Sequence, residues 1–283
     1  MSIPNDIHQY IRYILEDVAN LHILPRFGHP ESQQIENKSS PSDQVTIADK
    51  DAEKDLSRRL RNTIPGSIVL GEEAVAADPN IMVSLSNSPP EYLWILDPID
   101  GTRQFINGTT GSGTLLCLCK NSEPIMSWQY HFHSGDLIIT EKGAGVTLNG
   151  EKASYHAAWP KDEWQLMLSR RLSNTDECAI PIGRRHGSIA SVVDYAGLIN
   201  GAKVPLHTLA YRTTYPWDHV CGALMAEELG LCAARLDGSR YRWNDITREG
   251  LLIAPPDKWN MVLRSIYPNQ SKPIEKMAFE FKF

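Results

Sequence analysis

Apolar side chains recur at helical spacing along the first part of the chain. The recurring positions are Ile7, Ile11, Ile14, Leu15, Val18 and Leu21. This period predicts an amphipathic helix that ends near Pro25, because proline cannot continue a helix. Ala52, Leu56 and Leu60 predict a second helix. Residues 31–43 are polar and rich in serine, so we expect either a surface connector or a mobile loop over a site.

Short apolar runs bounded by turn residues predict the strands of the first half. They cover residues 68–70, a run that ends at Asp97, and residues 114–119, 125–130 and 137–140. The next segment contains turn residues typical of β-hairpins, namely Gly143, Gly145 and the Asn149-Gly150 pair. Residues 74–91 are predicted to form a loop. The first half is therefore predicted to be a helix pair packed on an antiparallel sheet.

The second half of the chain alternates between strand-like and helix-like segments. Strands are predicted at residues 166–168 and 251–254, and helices at residues 188–199, 216–229 and 257–266. Such alternation is typical of an α/β arrangement. We therefore predict an N-terminal α+β lobe over residues 1–155, a C-terminal α/β lobe over residues 156–267, and a C-terminal extension over residues 268–283.

Composition and charge narrow the class of protein. The chain has 283 residues, of which 42% are apolar and 22% charged, as expected for a globular protein with a sizeable core. A net charge of −6 argues against binding a nucleic acid polymer through a basic face. No apolar run has the length that would span a membrane, and the five cysteines form no Cys-x-x-Cys pair. These features favour a cytoplasmic protein.

Candidate chemistry is concentrated where the apolar run from Trp94 ends. Asp97 and Asp100 lie three residues apart, and Gly101-Thr102 follow them directly. Carboxylates crowded at the end of a buried strand repel one another unless a cation lies between them, and oxygen ligands suit Mg²⁺, Mn²⁺ or Ca²⁺. The Gly-Thr pair can offer backbone N–H groups and a hydroxyl to an anion. The stretch therefore predicts a metal site next to a phosphate site.

Several other polar residues are candidates, and each has a simpler explanation. Asp49 and Asp218 stand at predicted helix starts, where an acid is also favoured by the helix dipole. Glu72 follows a buried strand and a glycine, although it could belong to a solvated turn. Lys38 lies in the polar connector, where a lysine is usually solvated. Together with Asp97 and Asp100, the acids predict a hydrolase of phosphate esters that uses more than one metal ion.

These elements, in this order, resemble the inositol monophosphatase superfamily of Mg²⁺-dependent, lithium-sensitive phosphatases. The matching segments are Lys38-Ser-Ser-Pro41 with Asp43, Val45-Thr46 with Asp49, Gly71-Glu72-Glu73, Trp94-Ile-Leu-Asp97-Pro-Ile-Asp100-Gly-Thr102, Trp217-Asp218, and Glu228 with Gly230. The resemblance covers roughly residues 5–265. It implies an α+β or α/β fold, a layered αβαβα sandwich of the sugar-phosphatase type, and a homodimer. It also implies two to three Mg²⁺ ions per site, with Mn²⁺ as a substitute and with Ca²⁺ or Li⁺ as inhibitors.

The resemblance implies a role for each matching residue. Glu72, Asp97 and the carbonyl of Ile99 would hold the first metal ion. The second would bind Asp97, Asp100 and Asp218, and a third, weaker ion would bind Glu72 and water. Thr102 with Asp49 would orient and deprotonate the attacking water. The N–H groups of Gly101 and Thr102 would bind the phosphate, with Lys38 close to the metal ions.

The chain departs from the family pattern at positions that concern substrate binding. Inositol-specific members carry a glutamate seven residues before the aspartate of the Trp-Asp pair, but here that position is Tyr211, followed by Arg212. A tyrosine cannot accept hydrogen bonds as a carboxylate does, and an arginine favours a second anionic group. Arg184 and Arg185 lie where the family's substrate-facing segment begins, although a solvated basic turn explains them equally well.

Several substrates and one other function class therefore stay open. The substrate is a small phosphorylated metabolite: a sugar or polyol phosphate, histidinol phosphate, or a nucleotide 3′,5′-bisphosphate. The alternative is a non-catalytic regulatory protein that binds metal and phosphate on the same fold.

Overall fold

The structure is a computed structural model that describes residues 3–4, 6–29, 36–37, 44–155, 165–168, 184–202, 206, 208–211, 214–244 and 250–266. It opens with helix α1 (Ile7–Val18), which continues as a wider π-helical segment (Ala19–Ile23) and a tighter 3-10 turn (Leu24–Arg26). The apolar residues that predicted this helix are buried, except Leu21, which lies beyond α1 and is exposed, and the predicted end of the helical segment near Pro25 is confirmed. Strand β1 (Glu36–Asn37), within the predicted connector, then pairs antiparallel with β2 (Gln44–Val45), which follows the connector directly.

Helix α2 (Ile47–Thr63) is the second predicted helix, and it begins earlier than its apolar residues indicated. Thr46 caps it, because the Thr46 hydroxyl accepts from the N–H of Ala48 and the Asp49 side chain accepts from the N–H of Thr46. This reciprocal cap satisfies N–H groups that a helix start otherwise leaves unpaired. It therefore fixes the position of Asp49 at the helix start.

A seven-stranded sheet occupies the first half of the chain in the order β3-β4-β5-β6-β7-β8-β9. Its strands are β3 (Ile68–Gly71), β4 (Tyr92–Asp100), β5 (Gly113–Lys120), β6 (Glu123–His131), β7 (Leu137–Glu141), β8 (Gly145–Leu148) and β9 (Glu151–Ala153). All neighbours pair antiparallel except β3 and β4, which are parallel, so the prediction of a wholly antiparallel sheet was wrong at this edge. The β8–β9 hairpin turns at Asn149-Gly150 as predicted, with positive φ at both residues.

The predicted loop over residues 74–91 was wrong. It contains helix α3 (Glu72–Ala77) and helix α4 (Asn80–Asn87). Met82 and Leu85 are buried one turn apart on α4, so its apolar face consists of few residues. A face this small gives a weak helical period in the sequence.

A five-stranded mixed sheet occupies the second half in the order β11-β10-β12-β14-β13. Its strands are β10 (Gln165–Leu168), β11 (Arg184–Gly187), β12 (Thr208–Tyr211), β13 (Cys232–Arg235) and β14 (Leu251–Ala254). Helix α5 (Thr102–Ile106) follows β4, α6 (Ser191–Ala196) follows β11, and α7 (Pro216–Glu228) and α8 (Trp259–Ile266) come later. The helix expected over residues 188–199 is thus only six residues long, and β11, β12 and β13 were not predicted.

The layers stack as helix, sheet, helix, sheet, helix. Alternate residues of β4 face opposite sides: Trp94 and Leu96 pack with α1 and α2, whereas Leu93 and Ile95 pack with the layer of α6 and α7. Helix α8 covers the outer face of the second sheet through Trp259. This arrangement confirms the predicted layered α+β fold. The same apolar cluster joins α6 and α7 to both sheets, and a division into lobes at residue 155 stays a prediction.

Helix α7 lies between the two sheets and is buried nearly all around. It contacts β4, β5 and β6 of the first sheet and β13 of the second. A helix that is apolar on every side must lie inside a protein or a membrane. None of the described helices combines the length and the apolar character needed to cross a membrane.

Candidate active site

The site begins with an irregularity at the end of β4. Asp97 pairs with Leu115 and Asp100 with Gly113, so three residues of β4 advance against two of β5. In a regular strand, residues three apart point to opposite faces. The extra residue of this bulge brings Asp97 and Asp100 to the same side, and Pro98, which has no N–H to donate, suits a bulge. The N–H of Ile99 donates to Asp97 Oδ1 at 3.0 Å and fixes that carboxylate.

Three carboxylates converge at this point. Asp97, Asp100 and Asp218 each offer an oxygen, and these oxygens lie within 4.8 Å of one another. Asp97 and Asp100 come from β4, whereas Asp218 lies in the first turn of α7, which packs against the same strand. Asp97 and Asp100 are 2% and 8% exposed, and Asp218 is half-buried. An oxygen-only donor set of this size fits Mg²⁺ or another hard divalent cation.

Without a cation, burial and neighbouring negative charges destabilise the ionised carboxylates of the cluster. Burial raises the pKa of Asp100 to about 7, and the charges of Asp194 and Glu72 act in the same direction. The backbone N–H groups of Ser191 and Val192 partly offset this, because they donate to the Asp100 carboxylate. These donors are the first residues of α6, so the second half of the chain holds a carboxylate of the first.

Glu72 lies beside the cluster but not within its tightest group. It follows Gly71, which pairs with Leu96, and it therefore leaves the sheet next to Asp97. The carboxylate of Glu53 on α2 accepts the N–H groups of Glu73 and Ala74, both at 2.8 Å, and so caps α3. Gly71 leaves room for this cap, because a Cβ there would lie 2.3 Å from the Glu53 carboxyl carbon and would force the Glu53 side chain to move.

Asp49 and Thr102 meet next to the end of β4. Asp49 Oδ2 accepts from the N–H and the hydroxyl of Thr46, at 2.8 and 2.6 Å. Its other oxygen lies 3.4 Å from the Thr102 hydroxyl, which also lies 3.0 Å from the carbonyl oxygen of Ile99. A hydroxyl has one proton, so Thr102 donates to one of these acceptors at a time. Asp49 therefore caps its helix and also contacts Thr102. The interpretation of Asp49 as a helix-start acid is thus compatible with its interpretation as a site residue.

Gly101 allows the chain to turn from β4 into α5. Its φ is +81°, a conformation that favours glycine. A Cβ at this position would lie 2.4 Å from the carbonyl oxygen of Gly111 and 3.1 Å from the Cβ of Ala190. The turn is therefore packed between the two halves of the protein.

Comparison with known proteins identifies the family to which the chain belongs. The family model for the inositol monophosphatase family matches residues 9–271. The chain belongs to the inositol monophosphatase family. Members of this family are phosphoric monoester hydrolases, and the protein is an enzyme of this class, as the sequence predicted.

Individual relatives are distant but cover most of the protein. Inositol-1-monophosphatase of Bacillus subtilis is 26% identical over 230 residues, which cover 75% of this chain and 79% of that protein. Nus factor SuhB of Vibrio cholerae is 25% identical over 275 residues, covering 91% of this chain and 95% of the relative. A solved IMPase/NADP phosphatase complexed with Mg²⁺ and phosphate is 22% identical, with a TM-score of 0.76 and coverage of 92% of this chain and 94% of that one. The structural likeness shows that the fold is that of the family.

The predicted substrate residues of this family member are only partly described. Lys38 and Arg212 lie outside the described residues, as do residues 268–283, and only the backbone of Arg184 and Arg185 is described, as the start of β11. Tyr211 is 3% exposed, and its hydroxyl donates to Asp194 Oδ2 at 3.3 Å. The Tyr211 hydroxyl therefore already has a hydrogen-bond partner inside the protein.

Sequence reasoning missed two buried acids next to the site. Glu53 lies one helical turn after Asp49, and this spacing is the only signal that both face the same side. Asp194 has no such signal in the sequence. Burial raises the pKa of both Glu53 and Asp194 to about 7.

Proposed function

We propose that this protein hydrolyses a small phosphate monoester in a Mg²⁺-dependent reaction. The single observation that carries the proposal is the convergence of Asp97, Asp100 and Asp218 from two distant parts of the chain. Buried carboxylates within 4.8 Å of one another repel, and a bound cation compensates that repulsion. Asp97, Asp100 and Asp218 would hold one ion, and Asp97 with Glu72 and the Ile99 carbonyl would hold another. Bound Mg²⁺ supplies positive charge that acidifies a water molecule and neutralises the phosphate.

The protein's own residues then position the water and take its proton. The Thr102 hydroxyl, held between Ile99 and Asp49, would accept a hydrogen bond from the water and pass the proton to Asp49. The water oxygen forms the new bond to phosphorus as the ester P–O bond breaks, and the leaving alcohol takes a proton from solvent. Gly101 and Thr102 would offer backbone N–H groups to the phosphate oxygens.

The environment of Tyr211 supports a substrate other than myo-inositol 1-phosphate. Its hydroxyl is bonded to Asp194 and its ring lies 4.3 Å from the ring of His219. A buried tyrosine in this setting offers no carboxylate to a sugar hydroxyl. Sugar and polyol phosphates, histidinol phosphate and nucleotide 3′,5′-bisphosphates stay candidates, with Lys38, Arg184, Arg185 and Arg212 as the predicted contacts. A panel of these esters, assayed for released phosphate, identifies the substrate.

Asp97→Asn tests the metal site. We expect a loss of kcat/KM of about a thousandfold or more, because losing a carboxylate ligand at the centre of the proposed metal site would remove several kcal/mol of charge stabilisation. The matched control is Asp237→Asn, which changes a carboxylate bonded to Ser239 in the turn after β13 and is expected to leave activity unchanged. Activity retained in Asp97→Asn would show that the ligand assignment is wrong.

A regulatory protein is the second candidate, and the relative named Nus factor SuhB favours it. The same phosphate-release assay separates the two functions. Turnover that requires Mg²⁺ and falls with Li⁺ or Ca²⁺ supports the hydrolase, with Mn²⁺ as the expected substitute. No metal-dependent turnover on any ester supports the regulatory alternative.

We also propose a cytoplasmic homodimer, following the family resemblance. The described cysteines, Cys117, Cys119, Cys221 and Cys232, are buried free thiols, as suits a reducing compartment. Light scattering after size-exclusion chromatography measures the oligomeric state directly.

A further inference from the structure

Asp194 is a buried carboxylate that the proposed reaction does not use. It lies in α6 and is 3% exposed. Its Oδ2 accepts the Ser188 hydroxyl at 2.6 Å and the Tyr211 hydroxyl at 3.3 Å, and its carboxylate also accepts the backbone N–H of Ile189. A buried carboxylate needs such donors, because an unpaired one would be strongly destabilising.

The donors of Asp194 come from different elements. Ser188 and Ile189 form the turn between β11 and α6, whereas Tyr211 ends β12 in the second sheet. The Tyr211 ring also packs on His219, whose Nδ1 lies 3.0 Å from the Tyr195 hydroxyl. Asp194 therefore joins the turn before α6 to the sheet beneath it. We name Asp194, Ser188 and Tyr211 the Asp194 cluster.

The same turn reaches the carboxylates of the candidate metal site. Ser191 and Val192, at the start of α6, donate their backbone N–H groups to Asp100. Ala190 meets Gly101, where there is no room for another side chain. A helix of six residues is too short to be stable by itself, so its contacts must fix its start.

We infer that Asp194 is a positioning residue for metal binding: with Ser188 and Tyr211 it holds the turn before α6, so that Ser191 and Val192 orient the Asp100 carboxylate. The inference rests on the proposed function, because it assumes that Asp100 binds a metal ion. Partners that orient metal ligands typically contribute about 10–100-fold to metal affinity. Asp194 acts through the backbone and contacts neither the ion nor the ester.

Calorimetric titration of the metal-free full-length protein with MgCl₂ tests this inference. We expect Asp194→Asn to raise the Kd for Mg²⁺ about 10–100-fold, because one amide oxygen cannot accept all three donors. Ser188→Ala and Tyr211→Phe each remove one donor and are expected to raise the Kd by smaller factors. The matched control is Asp55→Asn on α2, which removes a carboxylate bonded to Arg58 and Arg59. It should lower the Tm and leave the Kd unchanged.

The outcomes separate the inference from the function on which it rests. If the unaltered protein binds no Mg²⁺, the metal site is wrong and the inference falls with it. If it binds Mg²⁺ and Asp194→Asn binds equally tightly, the role of Asp194 is overturned while the proposed function stands. A variant that lowers only the Tm likewise shows a purely structural role. Should Asp194→Asn fail to fold, unchanged affinity in both Ser188→Ala and Tyr211→Phe overturns the inference.

Discussion

At the scale of single residues, one bulge accounts for the position of the central acids. Asp97 and Asp100 share a face only because β4 carries an extra residue between them. Pro98, between them, has no N–H to donate, and its carbonyl accepts the Thr114 hydroxyl at 2.9 Å. The short Asp-Pro-Ile-Asp motif thus encodes both acids and the backbone irregularity that brings them together.

Thr102→Ala tests the proposed role of the hydroxyl. We expect kcat to fall about 10²–10⁴-fold, the usual contribution of a positioned proton acceptor, with little change in Mg²⁺ affinity. Thr102→Ser keeps the hydroxyl and should retain most of the activity. The matched control is Thr109→Ala, since Thr109 donates to the Gln104 carbonyl in the exposed turn after α5. A Thr102→Ala enzyme as fast as the control would exclude Thr102 from the proton path.

Some residues of the candidate site can be predicted from the sequence, whereas others cannot, because their roles depend on burial by tertiary contacts. Asp97 and Asp100 are recognisable because two acids three residues apart at the end of an apolar strand are costly to bury without a cation. Glu53 and Asp194 look like ordinary helical acids, and their importance depends on burial against other elements. Burial of this kind arises from tertiary contacts, such as those of Glu53 with the start of α3.

At the scale of secondary structure, short elements depend on neighbours more than on their own sequences. Helix α3 has six residues and no cap of its own, and Glu53 from α2 supplies the missing acceptor. Strands β11, β12 and β13 were missed because each lacks the uninterrupted run of three large apolar residues that marks β3, β10 and β14, which are equally short. The long helices α1 and α2 were predictable because their apolar periods repeat over several turns.

Glu53→Ala tests the link between α2 and α3. It leaves the N–H groups of Glu73 and Ala74 without their acceptor, so we expect the free energy of unfolding to fall by about 1–3 kcal/mol. Urea denaturation measures this change. The matched control is Asp51→Asn on the same helix, which alters a partly exposed ion pair with Arg26 and should cost less than about 1 kcal/mol. Equal losses in the two variants would contradict a capping role.

At the scale of the whole molecule, the site forms where the two halves of the chain meet. Helix α7 carries Asp218 to β4 because it is apolar on the sides that face both sheets. Sequence periodicity alone could not place this contact, and the order of the family motifs predicted it instead. The three carboxylates of the candidate site therefore come together only when both sheets have packed on the central helices.

The buried acids make a prediction about the stability of the metal-free protein. The pKa values of Glu53, Asp100 and Asp194 are each raised to about 7 by burial. Between the ordinary carboxyl pKa and about pH 7, the folded protein binds protons that the unfolded chain has lost. Each group therefore lowers the stability as the pH rises through this window, by about 1.4 kcal/mol per pH unit. Buried His131, whose pKa is lowered to about 4, acts in the opposite direction but is outnumbered.

Urea denaturation at several pH values, with EDTA and with saturating Mg²⁺, measures this dependence. In EDTA we expect the free energy of unfolding to fall as the pH rises from about 5 to about 7, because three carboxyls must then ionise inside the protein. Mg²⁺ should reduce the fall, because it binds the folded state and compensates the charge on Asp100. Asp55, whose pKa is lowered to about 2 chiefly by its arginine partners against an opposing effect of burial, contributes fully above pH 4 and does not alter this window. Stability in EDTA that rises over the same range would contradict the burial of these acids, and a fall unaffected by Mg²⁺ would contradict the metal site.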